Sequence, residues 1–285
     1  MAINDPIVII GGGHMGTVLA TRWRQAVASK AGIHIIETNE KARAKFVGTG
    51  ITVHSSIESF DLKRGIVVLA VKPQTFAKIA DKVKKHLSGG STVIVSIMAG
   101  IALEELEKLS PRTIRMMPNT PAMVGEGMTV ACNPRIEPNI RLTINRLFEP
   151  TGRVIWVDDE NLMHAATAVS GSGPAYVFAF MEAFEQAARM VGLTPDIARQ
   201  LVLQTVIGAA QLAKHSEDDP RLLRQNVTSP RGTTEVALTV MLKNGVFMQL
   251  IDQAVKAAFT RSVELAQIQP SPDTSPEVPA DANGQ

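Results

Sequence analysis

The 285-residue sequence contains few aromatic residues, a single cysteine and no long apolar run. Aromatic residues make up 4% of the chain, and the net charge is only +2, with basic residues spread along the sequence. Because a nucleic-acid interface needs clustered cations or stacking rings, we expect no nucleic-acid partner. Cys132 is the only cysteine, so an intrachain disulfide and a cysteine-rich zinc site are both excluded. The histidines lack metal-ligand spacing, and we therefore assign no metal.

No segment approaches the roughly 20 consecutive apolar residues that a membrane-spanning helix requires. The first residues also lack a basic stretch followed by an apolar run and a cleavage site. We therefore expect a cytoplasmic protein without a membrane segment. The sequence is 45% hydrophobic and 20% charged, which is enough for a sizeable core in one or two domains.

The chain opens with a short β-branched run that breaks into Gly-x-Gly-x-x-Gly. Gly11 suits a tight turn, and Gly13 allows the backbone to approach a pyrophosphate closely. Gly16 allows the following helix to pack closely on a sheet. That helix would face the phosphates with unpaired N–H groups. A glycine-rich turn alone fits any sharp strand-to-helix junction, but the flanking strand and helix favour a dinucleotide site.

Six apolar runs in the first half alternate with helix-like segments and predict an α/β fold, with a parallel sheet covered by helices on both faces. The runs are Ile7–Ile10, Ile33–Ile36, Ile51–Val53, Ile66–Val71, Thr92–Ile97 and Thr113–Met117. Pro73 ends the fourth run and Gly100 the fifth, so both loops are expected at the edge where such sheets bind ligands.

Beyond Trp156 the sequence turns helical, with long segments rich in Ala, Leu, Met and Val. These segments are Asp159–Val169, Ala175–Gly192, Pro195–Lys214 and Gly245–Gln267. We predict a Rossmann-like domain at 1–157, an all-helical dimerisation domain at 158–267 and a proline-containing disordered tail at 268–285. The segment 176–184 is apolar around nearly its whole circumference, which indicates dimerisation, with burial inside one chain as the alternative.

Four further motifs occur in order along the chain: Ala70–Gln74 (AVKPQ), Arg115–Pro121 (RMMPNTP), Ser170–Tyr176 (SGSGPAY) and Ser229–Thr234 (SPRGTT). Together they resemble the pyrroline-5-carboxylate reductase family over residues 5–267. The resemblance implies reduction of the cyclic imine 1-pyrroline-5-carboxylate to L-proline, the last step of proline biosynthesis, with NADPH or NADH as hydride source. It also implies a homodimer with interleaved helical domains, and leaves assembly beyond the dimer open.

The resemblance implies roles for individual residues. Coenzyme contacts are expected at Gly11, Gly13, His14, Met15, Gly16, Glu37, Ala70, Val71, Lys72, Ala99 and Asn226. Substrate binding is expected at Glu160, Thr233 and Thr234, with Ser229 and Thr234 as catalytic residues. Such hydroxyls also cap ordinary helices, whose N-termini attract anions in any case. Glu160 equally suits the first turn of a helix, and Lys72 an exposed surface.

Two positions depart from the family pattern. Arg231 replaces the first glycine of Ser-Pro-Gly-Gly-Thr-Thr, and His14 stands where asparagine is common. If position 231 requires a positive φ, arginine costs about 1 kcal/mol of strain. A cation near the substrate carboxylate is the other consequence of this residue. We expect a tolerated backbone at Arg231 and a helix-capping role for His14.

The coenzyme preference rests on Glu37, about twenty residues after the glycine turn. A carboxylate there accepts hydrogen bonds from the ribose 2′-hydroxyl and repels a 2′-phosphate, which favours NADH. Thr38, Asn39, Lys41 and Arg43 follow closely and would accommodate the phosphate if Glu37 pointed away. Both coenzymes therefore remain open.

Two other classes of protein share part of this pattern. Dehydrogenases of the β-hydroxyacid kind combine a glycine-rich turn with a helical domain but use a catalytic lysine, and no lysine occurs here between Lys108 and Lys214. A non-catalytic regulator that senses NAD(P)H would have no use for Ser229, Thr233 and Thr234. Both observations favour the reductase.

Overall fold

The computed structural model describes residues 5–26, 32–87 and 90–267. Within them the chain forms two compact units, the first up to Thr167 together with residues from Arg261 onwards, the second Ala168–Thr260. The domain boundary expected after residue 157 remains a prediction. The tail expected at 268–285 lies outside the described residues.

The first unit is built on an eight-stranded sheet. Its strands are β1 (Ile7–Ile10), β2 (Ile33–Ile36), β3 (Thr52–His54), β4 (Ile66–Leu69), β5 (Val93–Ser96), β6 (Thr113–Met117), β7 (Gly127–Cys132) and β8 (Gly152–Val157). The spatial order is β3-β2-β1-β4-β5-β6-β7-β8. The first six strands run parallel, and the order reverses between β1 and β4, where ligands bind in doubly wound sheets. The α/β, Rossmann-like class expected from the sequence is confirmed.

The sequence predicts neither β7 nor β8, and it does not predict an antiparallel strand. β7 runs antiparallel to β6, and β8 pairs parallel to β7, so the sheet is not wholly parallel. β7 contains a single β-branched apolar residue, Val130, and owes its conformation to pairing on both sides. β8 is an edge strand whose residues are half-buried or exposed, so its apolar content does not form a buried run. The fourth and fifth strands end at Leu69 and Ser96, slightly earlier than expected.

Helices cover both faces of the sheet. The helices of the first unit are α1 (His14–Ala26), α2 (Glu40–Ala44), α3 (Pro73–Leu87), α4 (Leu103–Glu107), α5 (Pro138–Phe148) and α6 (Leu162–Ala166). Alternate residues of β1 point to opposite faces, so Ile7 and Ile9 pack with α1 and α5, whereas Val8 and Ile10 pack with α3 and α4. β1 is therefore buried on both faces, and it ends at Ile10, directly before the glycine turn.

The second unit contains no strand among its described residues. Its helices are α7 (Gly173–Met190), α8 (Pro195–His215), α9 (Pro220–Asn226), α10 (Thr233–Leu242) and most of α11 (Val246–Gln267). The long helices expected from the sequence are present, whereas α9 was not anticipated. The helix expected from Asp159 begins only at Leu162. The Asp159 carboxylate accepts the Asn161 N–H at 2.9 Å and holds these residues in a turn. After the helix, residues Thr167–Gly171 form a wider π-helical turn. None of the described helices is long and apolar enough to cross a bilayer.

Candidate active site

The glycine turn lies at the end of β1, beside the end of β4. Gly11 has φ +112°, and a Cβ built there would lie 2.6 Å from the carbonyl oxygen of Ala70. A Cβ on Gly16 would lie 2.1 Å from the carbonyl oxygen of Gly11. Only glycine fits at either position, because the neighbouring carbonyl oxygen leaves no room for a Cβ. A Cβ on Gly13, in contrast, would meet nothing within 4 Å. The turn is therefore closed toward the sheet and open toward a ligand.

A cavity of about 410 Å³ opens at this turn. It is lined by six of the expected coenzyme residues: Gly11, Gly13, Glu37, Ala70, Val71 and Lys72. The ends of β1, β2 and β4 therefore bring these residues together, as expected for carboxyl ends of parallel strands. The same cavity is lined by residues that the sequence did not single out, among them Ser56, Glu58, Thr75, Lys78 and Lys82. The first two follow β3 and the other three lie on α3, and no local motif marks them.

Glu37 is fixed at the mouth of this cavity. One carboxylate oxygen, Oε2, accepts the backbone N–H of Gly12 at 2.8 Å, and Oε1 accepts that of Asn39 at 2.8 Å. The guanidinium of Arg43 donates from Nη1 to the carbonyl oxygens of Glu37 and Thr38, at 3.1 and 2.6 Å. The side chain of Glu37 therefore points toward the glycine turn.

A second acidic residue stands on the rim of the cavity. The hydroxyl of Ser56 donates to Glu58, and this hydrogen bond is the main reason that the pKa of the Glu58 carboxyl is lowered to about 2. Glu58 also pairs with Lys82 at 3.3 Å. The pair is exposed on both sides, so it contributes little to stability, but it keeps Lys82 beside a carboxylate.

The remaining expected coenzyme residues of the first unit do not line this cavity. His14 opens α1 and, with Gly13 and Met123, lines a neighbouring cavity of about 340 Å³. Met15 is half-buried on α1 and packs against the core. Ala99 is exposed after β5 and lines neither of these two cavities.

Glu160 lies in an ion pair that the sequence did not anticipate. Its Oε1 accepts a hydrogen bond from Nη1 of Arg115 at 2.5 Å and from the backbone N–H of Leu103 at 2.8 Å. The Arg115 side chain is only 4% exposed, and its Nε has no hydrogen-bond partner among the described residues. Arg115 belongs to the Arg115–Pro121 motif, but its position in the middle of β6 gives no indication of its partner.

Two titratable groups near this ion pair have shifted pKa values. Burial lowers the pKa of His164, and the nearby Arg115 guanidinium lowers it further. The His164 ring lies 2.9 Å from the Ser262 hydroxyl, measured from Nδ1 to Oγ. Burial also raises the pKa of the Cys132 thiol to about 11. Cys132 is therefore a neutral core side chain at physiological pH rather than a nucleophile.

The expected substrate loop belongs to the second unit. Residues Ser229–Gly232 form a turn in which the Gly232 N–H donates to the Ser229 carbonyl at 3.0 Å, and α10 starts at Thr233. Thr234 is half-buried, whereas Ser229 and Thr233 are exposed. Arg231 has φ +59°, and its N–H donates to the Glu235 carboxylate at 2.7 Å. Asn226 ends α9, exposed, with its amide 3.4 Å from Asp218.

The glycine turn and Glu37, both in the first unit, fit a dinucleotide. Gly13 leaves open the volume that a Cβ would fill, directly before the N-terminus of a 13-residue helix. A pyrophosphate is bound by such a turn because the backbone can approach it closely and the helix N-terminus carries partial positive charge. A carboxylate at the end of β2 is where a ribose is held in folds of this type.

Comparison with known proteins addresses the family. A family model described as pyrroline-5-carboxylate reductase dimerisation matches residues 160–265, and one described as NADP oxidoreductase coenzyme F420-dependent matches residues 6–100. A pyrroline-5-carboxylate reductase from Synechocystis is 39% identical over 266 residues, covering 91% of this chain and 97% of that protein. One from Pseudomonas aeruginosa is also 39% identical, covering 92% and 97%.

Solved structures agree with this. A pyrroline-5-carboxylate reductase from Coxiella burnetii has a TM-score of 0.85 at 33% identity, covering 92% of this chain and 99% of that one. A pyrroline carboxylate reductase from Plasmodium falciparum, solved with NADP bound, has a TM-score of 0.81 at 31% identity, covering 93% and 100%. With both units matched at this identity, the chain belongs to the pyrroline-5-carboxylate reductase family.

Proposed function

We propose that this chain reduces 1-pyrroline-5-carboxylate to L-proline with a hydride from NADPH or NADH, the last step of proline biosynthesis. The observation that carries the proposal is that identity to reductases of this name extends over 91% of the chain. It therefore includes both the glycine turn that opens toward a ligand and the helical unit with its hydroxyl-bearing loop.

The first unit provides the coenzyme site in this proposal. When bound, the reduced nicotinamide supplies the hydride. The backbone at Gly11 and Gly13 and the start of α1, with His14, Met15 and Gly16, hold the pyrophosphate, and Glu37 holds a ribose. Further contacts are proposed at Ala70, Val71, Lys72, Ala99 and Asn226. The cavity at the glycine turn supports the first three of these.

The loop before α10 provides the substrate site in this proposal. Ser229, Thr233 and Thr234 carry hydroxyls beside a helix N-terminus, and such an arrangement binds a carboxylate. A protonated imine is already electrophilic near neutral pH, so these groups need only orient the ring and hydrogen-bond its nitrogen. Glu160 is proposed on the substrate side as well, and its bonds to Arg115 and Leu103 give it a second role in holding the loop before α4.

The proposal extends to assembly and location. A match to a dimerisation family model over residues 160–265 supports a homo-oligomer, and we propose a homodimer formed through the second unit. The proposed partners are therefore a second copy of this chain and a small-molecule substrate. We also propose a cytoplasmic location, as expected for an enzyme that uses reduced coenzyme and a biosynthetic intermediate.

Mutation of Thr234 tests the assignment of the substrate loop. We expect the purified chain to oxidise coenzyme only when 1-pyrroline-5-carboxylate is present, followed at the nicotinamide absorbance band. Thr234→Ala is expected to lower kcat about 100-fold, because positioning is lost, while the Kd for coenzyme stays nearly unchanged.

Thr239→Ala is the matched control, since Thr239 lies exposed on the same helix and its hydroxyl donates to the Glu235 carbonyl at 2.9 Å. It should retain wild-type turnover. Equal loss of coenzyme affinity and turnover in Thr234→Ala, or full turnover in that variant, would contradict the assignment.

A further inference from the structure

We infer that Glu37 makes this enzyme prefer NADH over NADPH. The inference rests on the proposed function, which leaves the choice between the two coenzymes open. It concerns only the ribose of the adenosine half, where NADPH carries a phosphate in place of the 2′-hydroxyl.

The first step is the fixed position of the carboxylate. Oε2 of Glu37 accepts the N–H of Gly12 and Oε1 accepts that of Asn39, each at 2.8 Å. Gly12 belongs to the glycine turn itself, and a Cβ built on Gly12 would lie 3.2 Å from Cγ of Glu37. The carboxylate is therefore packed against the turn and lines the same cavity as Gly11 and Gly13. Turning it away would break two charge-assisted hydrogen bonds to backbone donors.

The second step is the chemistry of the two riboses. A carboxylate accepts hydrogen bonds from vicinal hydroxyls, which is how NAD-binding folds hold the ribose at the end of the second strand. A 2′-phosphate offers almost only acceptor oxygens and carries a charge near −2 at neutral pH. Placed beside Glu37 it would meet a like charge at short range, in a partly buried site where screening by solvent is reduced.

The third step concerns the lysine and arginine side chains near the cavity, which are compatible with a preference for NADH. Lys72, Lys78 and Lys82 also line the cavity, and they attract any dinucleotide, since both coenzymes carry the pyrophosphate. Lys82 pairs with Glu58 at 3.3 Å. Arg43, six residues after Glu37, donates from Nη1 to the carbonyl oxygens of Glu37 and Thr38. The group that distinguishes a hydroxyl from a phosphate is therefore Glu37.

The test measures binding and turnover separately for the two coenzymes. The Kd of the wild-type chain for NADH and for NADPH is determined by fluorescence titration without substrate, and kcat/KM is measured with each. We expect NADH to be favoured about tenfold or more in both measurements, and Glu37→Gln to reduce that ratio by about tenfold, which corresponds to roughly 1.4 kcal/mol.

Two more variants complete the design. Glu37→Ser removes the carboxylate with a shorter side chain and should shift the ratio in the same direction, which covers the case that Glu37→Gln does not fold. Glu40→Gln changes the same charge on an exposed residue of α2 and should leave the ratio as in the wild type.

Tighter or equal binding of NADPH by the wild type would overturn the inference. So would an unchanged ratio in both folded Glu37 variants. The proposed function fails by a different result, absence of imine reduction with either coenzyme, and the binding ratio is measurable in that case too.

Discussion

At the scale of single residues, Arg231 shows how this chain departs from its family. The pattern expected from the family resemblance has a glycine at this position, and the structure gives Arg231 a φ of +59°, in the left-handed region that favours glycine. The Glu235 carboxylate accepts the Arg231 N–H at 2.7 Å and holds the backbone in this conformation. The conditional expectation of strain at this residue is therefore met, and a local hydrogen bond offsets part of it.

Arg231→Gly is expected to stabilise the folded chain by about 1 kcal/mol, since glycine adopts this φ without a Cβ clash. The measurement is the midpoint of urea denaturation with an unchanged slope. Arg231→Ala is the control, because it removes the charge but keeps the Cβ, and it should show no comparable gain. Equal stabilisation by alanine and glycine would mean that the side chain, and not the backbone, sets the cost.

At the scale of secondary-structure elements, Arg115 and Glu160 connect three parts of the first unit. Arg115 lies in β6, Glu160 precedes α6, and the carboxylate of Glu160 also accepts the N–H of Leu103 at the start of α4. A buried ion pair is weak evidence for stability by itself, but the loss of one partner leaves the other charge buried and unpaired. The pair therefore fixes the start of α4, at Leu103, relative to the sheet.

Glu160→Gln is expected to destabilise the protein by about 3 kcal/mol, because the Arg115 guanidinium then remains buried without a carboxylate. Thermal and urea denaturation measure the change. Glu105→Gln breaks an exposed pair with Lys108 and should shift stability by no more than about 0.5 kcal/mol. A Glu160→Gln variant as stable as this control would show that Glu160 does not hold these elements together.

The same scale shows what the sequence predicts and what it leaves out. The glycine turn, the first six strands and the helical second half follow from local patterns, because β-branched runs, glycine turns and helical segments are encoded in neighbouring residues. β7 depends on pairing with strands on both sides, and the Arg115–Glu160 contact joins residues 45 positions apart. No window of sequence records such contacts, and the same is true of Ser56, Lys78 and Lys82 in the coenzyme cavity.

At the scale of the whole molecule, the second unit exposes more apolar surface than a monomer normally does. Phe178 is 63% exposed, and Phe180 and Phe184 on the same helix are 43% and 39% exposed. No residue of α10 or α11 is classed as buried in the single chain. Burial inside one chain therefore does not account for the apolar segment 176–184, and contiguous exposed surface of this kind marks an interface.

We predict a dimer or larger assembly, seen by light scattering as at least twice the 30.6 kDa mass of one chain. Phe178→Glu is expected to weaken it, because a charge would be buried at the interface, and to lower the mass at equal protein concentration. Leu142→Glu, on a side chain of the first unit that is 59% exposed, should leave the mass unchanged. A monomeric wild type, or the same mass for Phe178→Glu at all concentrations, would contradict a dimer through this surface.

The measurement that bears most directly on the function is the fate of the hydrogen transferred from the coenzyme. Purified wild-type protein is mixed with 1-pyrroline-5-carboxylate and, in separate reactions, with NADH or NADPH that carries deuterium on one or the other face of nicotinamide C4. We predict proline as the product, with deuterium at the former imine carbon from one of the two faces and none from the other. Coenzyme oxidation without proline, proline without label from either face, or no reaction with either coenzyme would contradict the account.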